Sequence, residues 1–190
     1  DYNACNISSI YYSVYRLGFD PIIVRNKKEF KEIDKLIIPG VGAAKSCLEY
    51  LHKTRLYSEI ENFLVNKKPI LGICLGFQIF AKKLYEHGIS DGIGLIDSDV
   101  LPISDTQKFN IGWSSVLIKN SIQIPKDLHG EKSFYFCHSY YLKLNNKEEK
   151  DYCIGLTNSD FEIPSFIIKN NILGTQFHPE KSQKNGITLI

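Results

Sequence analysis

Between residues 68 and 81 an apolar run changes its period, and that change constrains the fold more than any other feature of the chain. Residues 69–73 (Pro-Ile-Leu-Gly-Ile) form a short continuous apolar stretch of the kind that lies buried in a parallel sheet. Ile79, Phe80 and Leu84 then recur at helical spacing, so the sequence predicts a strand that becomes a helix at Cys74. Gly72 and Gly76 flank that cysteine two positions away on either side, the pattern of a nucleophile elbow, in which small residues let the backbone turn sharply and lift one side chain clear of the sheet. A sulfur placed there meets the free N–H groups and partial positive charge of a helix start, which favour a thiolate. A cysteine among Ile and Leu is by itself usually a small buried hydrophobe. The paired glycines, together with a base further along the chain, weigh against that plainer reading.

The remaining composition narrows the class. A chain of 190 residues, 43% hydrophobic and 23% charged, has material for a single globular domain spanning residues 1–190. A net charge of +2 is too small to argue for nucleic acid. The longest apolar stretch, around Cys74, is too short to cross a membrane and is interrupted by Gln78. Five widely spaced cysteines, with no C-x-x-C pair, fit a reducing compartment better than a disulfide framework or a zinc site, so a cytoplasmic protein without signal peptide, metal or cofactor is expected. Because the sequence opens at Asp1 on loop-like residues, a short first strand is expected to be missing ahead of it.

Along the chain, Ile7, Ile10, Tyr11, Val14 and Leu17 repeat at helical spacing until Gly18 supplies a stop. Residues 19–24 and 35–38 read as strands, the second ending in Pro39-Gly40-Val41-Gly42, and helices are expected over residues 43–52 and 56–65. Strands alternating with helices mean crossover units and a parallel sheet whose functional loops lie at the carboxyl ends of its strands. From Gly94 onward turn signals crowd together, and residues 113–118, 133–144, 152–158, 165–169 and 172–177 read as shorter strands, some of them antiparallel additions to that sheet. The Lys- and Glu-rich residues 145–151 read as a solvated turn. The aromatic run Phe134, Tyr135, Phe136, Tyr140, Tyr141 alternates like core and lacks the basic surround of a nucleic-acid platform.

Two further constellations carry chemistry. Phe177-His178-Pro179-Glu180 follows an apolar strand, and a histidine at a strand's carboxyl end can face the same crevice as an elbow nucleophile. A carboxylate two residues on can hold the other ring nitrogen, so Cys74, His178 and Glu180 take the roles of nucleophile, general base and acid, and orienter. The glycines of residues 39–42 let backbone N–H groups point at a ligand, and with the N–H of Leu75 they can form an oxyanion hole. His52, His87, His129 and His138 show no metal-ligand spacing and are expected at surface or internally satisfied positions.

Gly72-Ile73-Cys74-Leu75-Gly76-Phe77-Gln78 paired with His178-Pro179-Glu180 resembles the class I, triad-type glutamine amidotransferases. Within them, Asp1-Tyr2-Asn3-Ala4-Cys5-Asn6, Pro39-Gly40-Val41-Gly42-Ala43, Gly112-Trp113, His138-Ser139-Tyr140-Tyr141 and the run from Gly174 to Ser182 are similar to the glutaminase subunits of imidazole glycerol phosphate synthases. The resemblance implies a flavodoxin-like α/β fold, with a mostly parallel central sheet flanked by helices and antiparallel strands appended in the second half. It implies hydrolysis of glutamine to glutamate and ammonia, and a heterodimer in which the ammonia is channelled to a (β/α)8-barrel synthase of histidine biosynthesis. By position it assigns the substrate's α-carboxylate and α-amino ends to Gln78 and Glu86, assisted by backbone groups near Gly42, Ser139 and Tyr140. It turns Asn6, Trp113 and Lys181 toward the synthase, and makes the Val41 peptide the segment that reorients to complete the oxyanion hole when the partner is loaded.

The family pattern departs at Asn3 and Cys5, where glycines are usual, and at Asn110-Ile111-Gly112-Trp113-Ser114. Both departures fall on the partner-facing side, which keeps a second acceptor open: the same glutaminase chemistry feeding a sugar amidotransferase of surface-glycan synthesis. A catalytically silent binding module and a cysteine hydrolase of another amide are the remaining readings. The intact Cys74, His178 and Glu180 oppose the first, and Gln78 and Glu86 the second.

Overall fold

The computed structural model describes residues 1–2, 7–103, 109–119, 123–146, 150–158 and 162–190. Its larger sheet runs, from one edge to the other, through β1 (Leu36–Ile38), β2 (Ile70–Ile73), β11 (Ile172–Thr175), β10 (Glu162–Lys169), β9 (Cys153–Asn158), β6 (Asn110–Ile118) and β7 (Gly130–His138). The β1, β2 and β11 strands are parallel neighbours, and from β11 onward every pairing is antiparallel, so the sheet is mixed. A smaller sheet joins β4 (Ser90–Asp91), β3 (Lys83–Leu84), β5 (Ser98–Pro102) and β8 (Tyr140–Leu144). Residues 133–144, which read as one strand, break at Ser139, where the chain leaves β7 in the large sheet and enters β8 in the small one.

Helices α1 (Ile7–Arg16), α2 (Ala44–Lys53) and α3 (Leu56–Val65) agree with the helical spacing of the sequence. Gly18 ends α1 with a φ of +86°, a conformation open to glycine at no steric cost. Ile10 packs with Ile73 and Cys74, while Val14, Ile37 and Leu71 fill in around them, so α1 roofs the elbow. On the other side Leu48 and Leu51 of α2 and Ile60 and Phe63 of α3 join Ile70, Phe77 and Phe80 in the main core. A second core gathers Phe134, Phe136, Phe166 and Phe177 with Val116 and Ile118 between the antiparallel strands. The ring of Phe177 stacks on Phe134 at 4.0 Å and meets Phe136 and Phe166 edge-on. Each such ring contributes about 2–3 kcal/mol by burial, which pins the chain immediately before His178.

Two elements differ from the sequence expectation. Residues 19–24 run without a ladder partner among the described residues, and an apolar cavity of about 640 Å³ lined by Phe19, Ile22, Val24, Leu36 and Ile38 opens between them and the edge strand β1. A strand needs a neighbour to donate to, and periodicity alone does not supply one. The helix after Cys74, α4 (Leu75–Gln78), is a single turn. Ile79, Phe80 and Ala81 are buried on every side, so the run carried no true helical stripe, and Leu84 belongs to β3. No helix among the described residues is long and apolar enough to cross a membrane.

Candidate active site

Pairing between β2 and β11 builds the site. Ile73 lies opposite Thr175, and the Cys74 N–H donates to the Thr175 carbonyl at 2.7 Å, so the residues just past both strand ends, Cys74 on one and Gln176 to His178 on the other, emerge side by side. Cys74 adopts φ +51° and ψ −105°, a backbone state that costs a non-glycine residue of order 1–3 kcal/mol and is held here by the surrounding turn. The flanking glycines are required by contact. A Cβ on Gly72 would sit 2.6 Å from the Gly76 carbonyl oxygen, and one on Gly76 would run into the Ile38 carbonyl. The N–H groups of Phe77 and Gln78 are spent on the Cys74 carbonyl, at 3.1 and 3.0 Å.

His178 and Glu180 pair with each other. Nδ1 of His178 lies 2.8 Å from Oε1 of Glu180, both side chains being almost fully buried. Nε2 is buried and makes no hydrogen bond of full geometry, and Cys74 is the group beside Glu180 that acts on the ring. Burial alone lowers the His178 pKa, but the hydrogen bonds and charges of Cys74 and Glu180 outweigh it and raise the value to about 10. Such a ring readily takes and holds a proton delivered from Cys74. The sulfur itself approaches the Cys137 carbonyl at 3.8 Å and receives Nε2 of Gln176 at 3.7 Å.

The loop 39–42 closes one side of the crevice. Gly40 turns its carbonyl toward the Leu75 N–H at 3.4 Å, Gly42 has a φ of +105°, and Val41 is 42% exposed. Oε2 of Glu86 accepts the Ala44 N–H at 2.7 Å, which brings this carboxylate to the start of α2 beside Gly42. On the opposite side Gln78 is buried and donates through Nε2 to the Tyr140 carbonyl at 2.7 Å and to Oε1 of Gln176 at 3.2 Å. The Ser139 carbonyl accepts the Ile103 N–H at 3.0 Å, tying the crossover to β5.

The residues expected to face a partner divide in two. Asn6 lies outside the described residues. Trp113 is 49% exposed and meets the Tyr135 ring edge-on, while the Lys181 ammonium lies 5.7 Å from the same ring, so these three side chains form one patch. Ile111, on the same strand, is exposed beside them.

Sequence reasoning missed two members of the site. Gln176 is a completely buried glutamine just past an apolar strand, and that polar residue at a core position was the available signal. His138, left among the unassigned histidines, is internally satisfied: Nδ1 faces the Tyr140 carbonyl at 2.8 Å and Nε2 faces Nδ2 of Asn110 at 3.2 Å. Burial foremost, and the neighbouring His178 charge, lower its pKa to about 4 against the Tyr140 hydrogen bond, so it is neutral at physiological pH. Among the described residues no group of three or more His, Cys, Asp or Glu side chains is arranged to hold a metal ion.

The family model for "Glutamine amidotransferase class-I" matches residues 1–189. Proteins named imidazole glycerol phosphate synthase subunit HisH are similar throughout. Those of Caldanaerobacter subterraneus subsp. tengcongensis and Sulfurimonas denitrificans are 36% and 38% identical, over all of this chain and 93% of their own length. That of Methanocaldococcus jannaschii is 38% identical over all of this chain and 94% of its own length. Among solved structures, a glutamine amidotransferase superposes with a TM-score of 0.75 at 15% identity, covering 97% of this chain and 90% of that one. PurLQS from Thermotoga maritima gives 0.75 at 18% identity over the same shares, and both likenesses concern the fold. With the whole chain matched and the cysteine elbow intact, the protein belongs to the class-I glutamine amidotransferases, in the group of the HisH subunits of imidazole glycerol phosphate synthase.

Proposed function

We propose that this chain hydrolyses glutamine to glutamate and ammonia at Cys74 and passes the ammonia to a (β/α)8-barrel synthase subunit, its partner in a heterodimer of histidine biosynthesis. The observation that carries the reading is the arrangement of His178 between Glu180 and the elbow cysteine. With Nε2 of His178 already protonated, Cys74 Sγ attacks the carboxamide carbon of glutamine as the thiolate. The tetrahedral intermediate collapses as His178 passes its Nε2 proton to the departing nitrogen, releasing ammonia and leaving a thioester. A water deprotonated by His178 then attacks the thioester, and glutamate leaves. Glu180 accepts Nδ1–H throughout and holds the ring in the tautomer whose Nε2 faces the sulfur.

The oxyanion hole supports partner control. The Gly40 carbonyl occupies the Leu75 N–H, and because the Gly40–Val41 peptide is trans, the Val41 N–H points the opposite way. Rotating that one peptide withdraws the carbonyl and brings in the Val41 N–H, so that Val41 and Leu75 together hold the oxyanion. Loss of one such donor costs on the order of a hundredfold to a thousandfold in rate, enough for a switch that saves ammonia until an acceptor is loaded.

For the substrate, both protons of Gln78 Nε2 are committed, so this side chain offers its carbonyl oxygen, an acceptor suited to the α-ammonium end. Glu86 is suited to the same cation, and backbone groups of Gly42, Ser139 and Tyr140 take the remainder. The patch of Trp113, Tyr135 and Lys181 supplies the synthase-facing surface together with Asn6. The free thiols of Cys74 and Cys137 suit a cytoplasmic setting. Co-purification with the barrel synthase, and a glutaminase assay with and without that synthase and its ribotide substrate, test the reading. Stimulation of a hundredfold or more is expected, and its absence points to another acceptor.

A further inference from the structure

We propose that Gln176 is a further catalytic residue, whose side-chain amide donates a hydrogen bond to the reacting sulfur of Cys74 and is aimed by a network of hydrogen bonds anchored on the Tyr140 carbonyl. The links are Asn110 Nδ2 to His138 Nε2 at 3.2 Å, His138 Nδ1 to the Tyr140 carbonyl at 2.8 Å, and Gln78 Nε2 to that carbonyl at 2.7 Å. From there Gln78 Nε2 reaches Gln176 Oε1 at 3.2 Å, and Gln176 Nε2 reaches Cys74 Sγ at 3.7 Å.

One atom fixes the direction of every link. The Tyr140 carbonyl can only accept, so His138 must carry its proton on Nδ1 and Gln78 must present its NH2 group. A neutral His138 then accepts from Asn110 through Nε2. Gln78 donates onward to the Gln176 oxygen, which obliges Gln176 to turn its own NH2 group to the sulfur. The reverse orientation of Gln176 would set NH2 against NH2 at Gln78 and lone pair against lone pair at Cys74. Gln176 is completely buried, its own N–H is bound to the Ser165 carbonyl at 3.0 Å, and the sulfur is the acceptor within reach of its NH2 group among the described residues. A buried amide donor is costly to leave unpaired, so the contact is enforced from both ends.

An N–H directed at sulfur favours the states in which sulfur is negative: the attacking form, and the leaving thiolate when the thioester is hydrolysed. His178 receives the proton on one side while Gln176 steadies the charge from another. A hydrogen bond to a charged group of this kind corresponds to roughly tenfold to a hundredfold in rate.

The inference rests on Cys74 being the nucleophile, which Cys74→Ser tests by itself. Gln176→Met keeps the volume and removes the donor; Gln176→Glu keeps an acceptor for Gln78 and removes the donor. In the complex with loaded synthase, glutaminase kcat per active site, titrated with a glutamine-mimicking electrophile, should fall roughly tenfold to a hundredfold, with KM changed by no more than about twofold. Alkylation of Cys74 by iodoacetamide should slow by a similar factor. A residue that only fills space would lower the number of titratable sites and leave kcat per site and the alkylation rate alone, and that result overturns the proposal. Should neither variant fold, the wild-type protein with isotopically labelled glutamine side chains decides: the Gln176 NH2 resonances must move when Cys74 is alkylated, and resonances that stay in place overturn it. Activity surviving Cys74→Ser would instead overturn the nucleophile assignment.

Discussion

His178 and Tyr135 are fastened to each other through their backbones: the His178 N–H donates to the Tyr135 carbonyl at 2.8 Å. Ser182 completes the clamp, its hydroxyl oxygen accepting the Tyr135 N–H at 2.9 Å while its O–H donates to the His178 carbonyl at 2.6 Å. Because the ring of Tyr135 also carries the edge of Trp113, the strand beneath the exposed aromatic patch is the strand to which His178 is fastened.

Trp113→Ala should therefore weaken binding to the barrel synthase by about 2 kcal/mol or more, the scale of an aromatic hot spot, while changing the unfolding free energy of the isolated chain little. Titration calorimetry against the synthase, set beside urea unfolding of the chain alone, reads both quantities. Undiminished affinity would move the interface elsewhere.

The oxyanion loop gives a sharper expectation. Val41→Pro removes the N–H that peptide rotation is meant to deliver, so synthase-stimulated kcat should fall on the order of a hundredfold to a thousandfold, with KM for glutamine little changed. Steady-state assays with saturating synthase and ribotide decide it. A variant that is still stimulated normally would assign the second donor to another group.

The two buried histidines set opposite flanks of the pH–stability curve. The raised pKa of His178 means the native state holds a proton that the unfolded chain releases near pH 6.5, so its stabilisation is complete below that pH and is lost as pH climbs toward about 10. The slope approaches roughly 1 kcal/mol per pH unit for one proton. His138 acts in reverse: its pKa is lowered to about 4, so the unfolded chain binds the extra proton and stability falls as pH drops from about 6.5 to 4. Urea midpoints across this range should show both slopes, with Glu180→Gln flattening the alkaline one and His138→Gln the acid one. Curves for the variants running parallel to wild type would contradict these assignments.

Glycine substitutions separate crowding from backbone strain. Gly76→Ala drives a methyl group into the Ile38 carbonyl and should prevent folding or cost several kcal/mol. Gly42→Ala meets open space and bears only its φ of +105°, about 1–2 kcal/mol. Equal losses in urea unfolding would show that the elbow relaxes around a Cβ.

The proposed triad is legible in sequence because each member sits in a short local pattern: Gly-x-Cys-x-Gly at a change of period, and His-Pro-Glu after an apolar strand. What brings the pieces together, the parallel register that sets Ile73 opposite Thr175, joins residues a hundred positions apart and leaves no local trace. Gln176 escaped for a related reason, since a glutamine just past an apolar strand announces burial without naming its partner. Residues 79–84 misled in the other direction: a run buried on all sides has no exposed face to mark its period, so a single helical turn and a strand read as one longer helix. Residues 19–24 have the composition of a strand and lack, among the described residues, the neighbour that would make them one.

The fit of Gly76 against Ile38 bears on how such an enzyme can be turned off and on. Ile38 is the last residue of β1, and the chain passes from it directly into Pro39 and the loop of the oxyanion hole, so nucleophile and loop are braced on the same carbonyl. Under the proposed switch, idling and working forms differ by the spin of one amide plane inside this frame, a change that needs no side chain to repack.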